Sequence, residues 1–214
     1  MKNTILLILT LFGLYSCSSD DYLVDGGTAD PNLKMSTYDF LKSNKQLDTL
    51  AILIDRAKMI EVVNAQSTTL FAPNNLSIKN YVNAILTQKR KIDPTANFTI
   101  NDISEAELKV MIGGYIFKES LDRNKLVKTG KIYVAYNGEE RLLSLEPVEQ
   151  YTGQLDNFPE YVYYTFKIGT DWDPTDAIVD DKKTVVRTSN LISTNGIIHV
   201  LQGNHIFSNY IPIP

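Results

Sequence analysis

The sequence predicts an α+β domain, with helices in its first half and strands in its second. Up to residue 114, apolar side chains recur at helical spacing behind residues that cap helices. From Tyr115 onward the apolar runs are short, rich in β-branched and aromatic residues, and separated by turn residues. Helices and strands segregated in this way point away from a βαβ alternation. The composition agrees, since 214 residues with 43% hydrophobic and 21% charged side chains suffice for one sizeable core.

Ser36, with Asp39 three residues on, starts a short first helix whose apolar side chains are Tyr38, Phe40 and Leu41, and Asn44 ends it. Leu47, Leu50, Leu53, Ile54, Ala57 and Ile60 keep helical spacing, so a single second helix is expected as far as Asn64. The stretch TTLFAPNN is extended and halted by Pro73, because a proline holds the residue before it out of the helical region. Asn74 or Asn75 caps a third helix with Ile78, Tyr81, Val82, Ile85 and Leu86 on its inner face, ending in Gln88-Lys89-Arg90-Lys91 and a loop at Asp93-Pro94. Ser104 and Glu107 form a capping box for a helix facing inward with Leu108, Met111 and Ile112 and stopped at Gly113-Gly114. KIYVAY and RLLSL flank Asn137-Gly138, the signature of a two-residue hairpin. YVYYTFKI, KTVVRTSNLI and GIIHVL supply the remaining strands.

Both histidines lie in the closing stretch STNGIIHVLQGNH, where they could be metal ligands, a general base, or parts of a buried strand. Strand alternation puts Ile197, His199 and Leu201 on one face and Ile198 and Val200 on the other, which predicts a core imidazole bonded to a backbone group. A zinc site needs three or four ligands, and two histidines with one cysteine, no HExxH and no CxxC do not supply them. No GxSxG elbow marks a nucleophile. The expectation is of no enzyme: no catalytic residue, no metal and no cofactor, with His205, beside its polar turn, having the weaker case for any role. A net charge of -4 and a pI near 5.2 argue against nucleic acid as a partner, and the short basic run reads as a solvated helix end.

At the N-terminus, Lys2 precedes ILLILTLFGL, too short to span a bilayer but with the length and flanks of a secretory signal. LYSC then resembles a bacterial lipobox, in which the cysteine is acylated after cleavage before it. Cys17 is the only cysteine, so no intrachain disulfide is possible. The following SSDD resembles the surface-export signal of Bacteroidetes lipoproteins, the alternative being an acidic tether facing the periplasm. The expected organisation is a signal peptide over 1–16, a flexible acylated tether over 17–34, a domain over 35–209 and a tail over 210–214. The expected location is the outer membrane, lipid-anchored and exposed at the surface.

STYDFLKSNKQLDTLAILIDRA, TTLFAPNN and STNGIIHVL together resemble a fasciclin domain over roughly residues 35–209. One family motif has the form T-x-F-A-P-x-N, here Thr69, Phe71, Ala72, Pro73 and Asn75; the other has the form T-N-G-x-I-H-V, here Thr194, Asn195, Gly196 and His199. The resemblance implies a single domain with helices packed on a β-wedge of two short sheets and the two motif strands close together in the core. It also implies an adhesion or binding role at a cell surface and no catalysis. Positions associated with integrin binding in animal members read Tyr115-Ile116 and Asn190-Leu191 here, and both departures tell against integrin.

The segment 146–183 is longer than the family needs and is both aromatic and acidic. Alternation puts Tyr161, Tyr163 and Thr165 on one strand face and Val162, Tyr164 and Phe166 on the other. Either one face is exposed, with Tyr161 and Tyr163 as a candidate ligand platform, or both are covered. Asp171, Asp173 and Asp176 are spaced loosely like a calcium loop but lack its glycine and distal glutamate, and read as a solvated loop. The expected partner is an extracellular glycan or protein, with the membrane contacted through the lipid anchor. The alternative is an accessory subunit of an outer-membrane glycan-uptake assembly. A cleft with aromatics and amides would favour glycan; a broad apolar face would favour the subunit.

Overall fold

The structure, a computed structural model, describes residues 30–148, 159–173 and 180–209. The expected signal peptide, Cys17, most of the tether and the tail at 210–214 lie outside the described residues.

Among the described residues, five α-helices precede or interleave with the first strands. Helix α1 (Thr37–Ser43) starts where Ser36 accepts from the Asp39 amide and stops at Asn44. The single helix expected over 47–64 is instead two, α2 (Asp48–Arg56) and α3 (Ile60–Val63). Lys58 takes a left-handed φ of 55° at the break. There the Lys58 amide bonds to the Asp55 carbonyl and the Met59 amide to the Ile54 carbonyl, the paired bonds that close a helix when its following residue is left-handed. A lysine stands where glycine would have signalled the stop. Helix α4 (Asn75–Ile92) is capped by Asn74, whose side chain accepts from the Ser77 amide. Helix α5 (Glu105–Gly113) has the full reciprocal capping box of Ser104 and Glu107, and it buries Leu108 and Ile112.

The strands are β1 (Thr68–Ala72), β2 (Ile116–Phe117), β3 (Lys131–Val134), β4 (Glu140–Pro147), β5 (Glu160–Phe166), β6 (Lys182–Ile192) and β7 (Gly196–Leu201). They form one seven-stranded sheet in the order β2-β1-β7-β6-β5-β4-β3, not two short sheets. The 11-residue β6 is the reason: Lys182 to Val185 pair with β5, and Val186 to Ile192 pair with β7, so a single strand carries the sheet across. The two ends of the sheet also approach one another. The Tyr136 amide, just past β3, donates to the Ile116 carbonyl of β2 at 2.8 Å, and the Tyr133 and Phe117 rings meet edge to face at 6.4 Å.

That contact also alters the hairpin. The turn closes from the Ala135 carbonyl to the Gly138 amide, and the Ala135 amide bonds to the Glu139 carbonyl. Three residues, Tyr136 to Gly138, therefore make the turn instead of two, with Gly138 at φ 88°. The Asn137 side chain ties the tip to the Val110 carbonyl of α5.

The strand β1 is buried throughout, and β7 is buried from Ile197 to Leu201. They pair in parallel, Thr68 opposite Gly196 through Ala72 opposite Val200. Parallel strands covered on both faces read as near-continuous apolar runs, as TTLFA and GIIHVL do. Leu53, Ile54, Leu108, Ile112, Phe71 and Ile198 are wholly buried, so the helices close over this pair.

Candidate functional site

The two motifs meet in the β1–β7 register, with Phe71 opposite His199. Their rings stack at 4.7 Å. Thr69 Oγ1 donates to the Glu119 carbonyl and accepts from the Leu121 amide, fastening the segment after β2. Pro73, buried with Ala72, ends β1. Asn75 accepts from the Thr49 amide and donates to Lys45 O and Asp48 Oδ1, which locks the α1–α2 connection. The Thr194 amide donates to the Met35 carbonyl. Asn195 accepts from the Thr37 amide at 2.8 Å and donates to the Val63 carbonyl at 3.1 Å, joining the start of α1 to the end of α3. A Cβ on Gly196 would lie 1.9 Å from the Thr68 carbonyl oxygen, so no larger residue fits there.

Both histidines are inside. His199 Nε2 donates to the Leu121 carbonyl at 2.8 Å, and Nδ1 faces the Asn190 amide at 3.4 Å. Burial pushes its pKa down to about 4, against the pull of the Leu121 carbonyl. His205, which has the weaker case for a role on sequence grounds, sits in a buried polar network. The Tyr115 hydroxyl accepts from the Ser208 amide and meets His205 Nε2 at 2.6 Å, while Thr184 Oγ1 lies 3.3 Å from Nδ1. Burial, then the Arg141 charge, pushes the His205 pKa down to about 3. Buried Arg141 donates to Tyr164 Oη at 2.6 Å and to Glu139 at 2.5 Å, and the Tyr164 hydroxyl donates to the Gly114 carbonyl. Burial raises the Tyr164 hydroxyl to about 12, with Arg141 opposing. These partners span residues 114 to 208, and no local pattern announces them. Each imidazole has both nitrogens engaged below the surface, which leaves neither free to act as a base on a bound molecule.

The remaining sequence candidate, the β5 face, is open in part. Val162 and Tyr164 are buried, whereas Tyr161 is 41% exposed and Tyr163 half-buried. Thr165, expected on the same face, is buried. The two tyrosines differ: Lys183 Nζ lies 4.5 Å over the Tyr163 ring and pairs with Glu146, while the Tyr161 ring stacks on no described residue. Both line an open groove of about 900 Å³ together with Leu76, Arg187, Gln202 and Asn204. Sequence reasoning missed these four because they come from α4, β6 and the turn after β7. Arg187 is the extra residue of a β-bulge, since Val186 pairs with Leu201 and Thr188 with the very next residue, Val200. Arg187 and Thr188 are consequently both exposed, which strict alternation forbids.

Other candidates have structural partners. Tyr115 is buried, and Asn190 accepts from the Arg123 amide. Asp173 accepts from the Asp180 and Asp181 amides, and Asp181 from those of Ile168 and Asp173. These carboxylates close a loop; Asp176 lies outside the described residues.

No known family model matches the chain, and no curated protein does. Among solved structures it is similar to a FAS1 domain pair from the insect cell adhesion molecule fasciclin I, with a TM-score of 0.39 and 14% identity. The match covers 80% of this chain and 44% of that one, so the chain spans less than half of its neighbour.

Proposed function

We propose that this chain is a non-enzymatic, fasciclin-like binding module of the cell envelope, anchored through lipid on Cys17 at the outer membrane and displaying a groove for an extracellular glycan. The observation that carries the binding reading is the groove itself. It combines an exposed aromatic ring, Tyr161, with the exposed polar side chains of Arg187, Gln202 and Asn204. An aromatic face packs against the apolar face of a sugar ring, and amides both donate to and accept from hydroxyls. A concave, part-aromatic, part-amide surface suits a saccharide better than a flat protein contact. The fasciclin-like reading is supported by the parallel register that pairs Thr69, Phe71 and Ala72 with Ile197, His199 and Val200, and by the bonds of Asn75, Thr194 and Asn195 to neighbouring segments. The lipid anchor and surface location draw support from residues 2–21 alone.

The test is a glycan-array screen of the full-length chain in detergent micelles beside the Tyr161→Ala/Tyr163→Ala variant. Saturable binding that the folded variant lacks supports the reading. Absence of binding to every glycan would turn the assignment toward an accessory subunit that contacts another envelope protein, and crosslinking in intact envelopes would then identify that contact.

A further inference from the structure

Resting on the reading of this groove as a carbohydrate site, we infer that its ligand is an anionic saccharide, with Arg187 engaging a carboxylate or sulfate on a sugar chain that packs on Tyr161. Arg187 is the sole charged side chain lining the groove among the described residues. The whole chain carries a formal net charge of -4, so this local positive charge runs against the sign of the molecule. An anion is drawn here by a specific residue and not by a general basic surface.

The arginine is also unspent. Lys183, on the same strand, is by contrast paired with Glu146 at 2.5 Å and held over the Tyr163 ring. Arg187 is exposed and forms no hydrogen bond or ion pair with any described residue. A guanidinium presents a planar fork of donors that matches a carboxylate or sulfate, which makes it a selective reader of such groups when nothing else occupies it.

Backbone geometry puts it there. The bulge between Val186 and Thr188 inserts Arg187 as an unpaired residue in β6, next to the strand that carries Tyr161 and Tyr163. Bulges re-aim side chains and concentrate beside functional sites. Arg187 also lines a second hollow, of about 280 Å³, beside Gln46 and Thr188. The charge therefore stands where two depressions adjoin, and a saccharide chain can continue past it on either side.

The experiment titrates full-length protein in detergent micelles with matched acidic and neutral saccharides. Oligogalacturonate is compared with its methyl ester, and carboxyl-reduced heparin fragments with the same fragments desulfated and N-acetylated, so one arm varies only carboxylate and the other only sulfate. At least one acidic member should bind about tenfold or more tightly than its neutral partner, as expected for a charge-assisted fork. Arg187→Gln should abolish that preference, bringing the acidic member to the affinity of its neutral partner with the circular dichroism spectrum unchanged, and Arg187→Lys should restore part of it. Equal affinity for acidic and neutral members, or a preference that survives Arg187→Gln, overturns the inference and leaves the carbohydrate reading standing. Absence of binding by every member of both sets overturns the two together.

Discussion

The β1–β7 pair and the β5–β6 pair sit in the same sheet and behave as opposites. The strands β1 and β7 run parallel, are covered on both faces and spend nearly every polar group of their motifs on holding neighbouring segments. The strands β5 and β6 run antiparallel, bury Val162, Tyr164 and Val186, and leave Tyr161 and Arg187 to solvent. A parallel pair must be sealed on both sides by its crossovers, whereas an antiparallel pair can face water on one. The first region is therefore held by the core on both faces, and the second can change its exposed side chains, Tyr161 and Arg187, without touching the core.

That contrast is broken most severely at Gly196. Gly196→Ala drives a Cβ to within 1.9 Å of the Thr68 carbonyl oxygen, so the parallel pairing cannot form. A loss of more than about 4 kcal/mol is expected, seen as the absence of a cooperative urea transition. Phe71→Ala comes next. The Phe71 ring is fully buried and touches those of Phe117, Tyr164 and His199, so its removal should cost about 3–5 kcal/mol in the urea midpoint analysis.

Acid sharpens the comparison at an intermediate level. The core keeps both imidazoles neutral, with pKa values lowered to about 4 and about 3, so the unfolded chain, at an ordinary 6.5, takes up protons first. Stability is therefore insensitive to these groups above pH 7. It falls as the pH drops below 6.5 and keeps falling until each folded value is reached. Between pH 7.5 and 5.5 each histidine should cost about 1.4 kcal/mol, read from urea midpoints, and His199→Gln should remove its share of that slope.

The smallest stability effect belongs to the groove. Arg187→Gln and Tyr161→Ala should each shift stability by less than about 0.5 kcal/mol, because neither side chain is buried or bonded to the described core. A thermal melt of either variant displaced by more than a few degrees would show that the groove is part of the scaffold after all.

How much of this was legible follows from how local each signal is. Ser36, Asn74, Ser104 and Glu107 cap helices through bonds to residues three positions away, so these starts could be read directly. The helix break at Lys58 could not, because the left-handed residue is not a glycine and the apolar spacing runs on through it. The hairpin was visible at Asn137-Gly138, but its extra turn residue reflects bonding of the tip to Ile116 of β2 and Val110 of α5, both far upstream in the chain. His199 carried its own apolar strand context, whereas the partners of His205 are Tyr115 and Thr184.

The amino-acid order alone determined the helix caps, the strand runs, the inward face of His199 and the alternation that sets Tyr161 and Tyr163 apart from Val162 and Tyr164. Those features depend on residues within one turn or one strand of each other. Only the tertiary structure decided that β6 joins everything into one sheet, that Lys183 covers Tyr163 while Tyr161 stays open, and that Arg187 lines the same groove as both tyrosines. Register and bulge position arise where a strand pairs with two different neighbours at once, and that constraint exists only when distant segments have met.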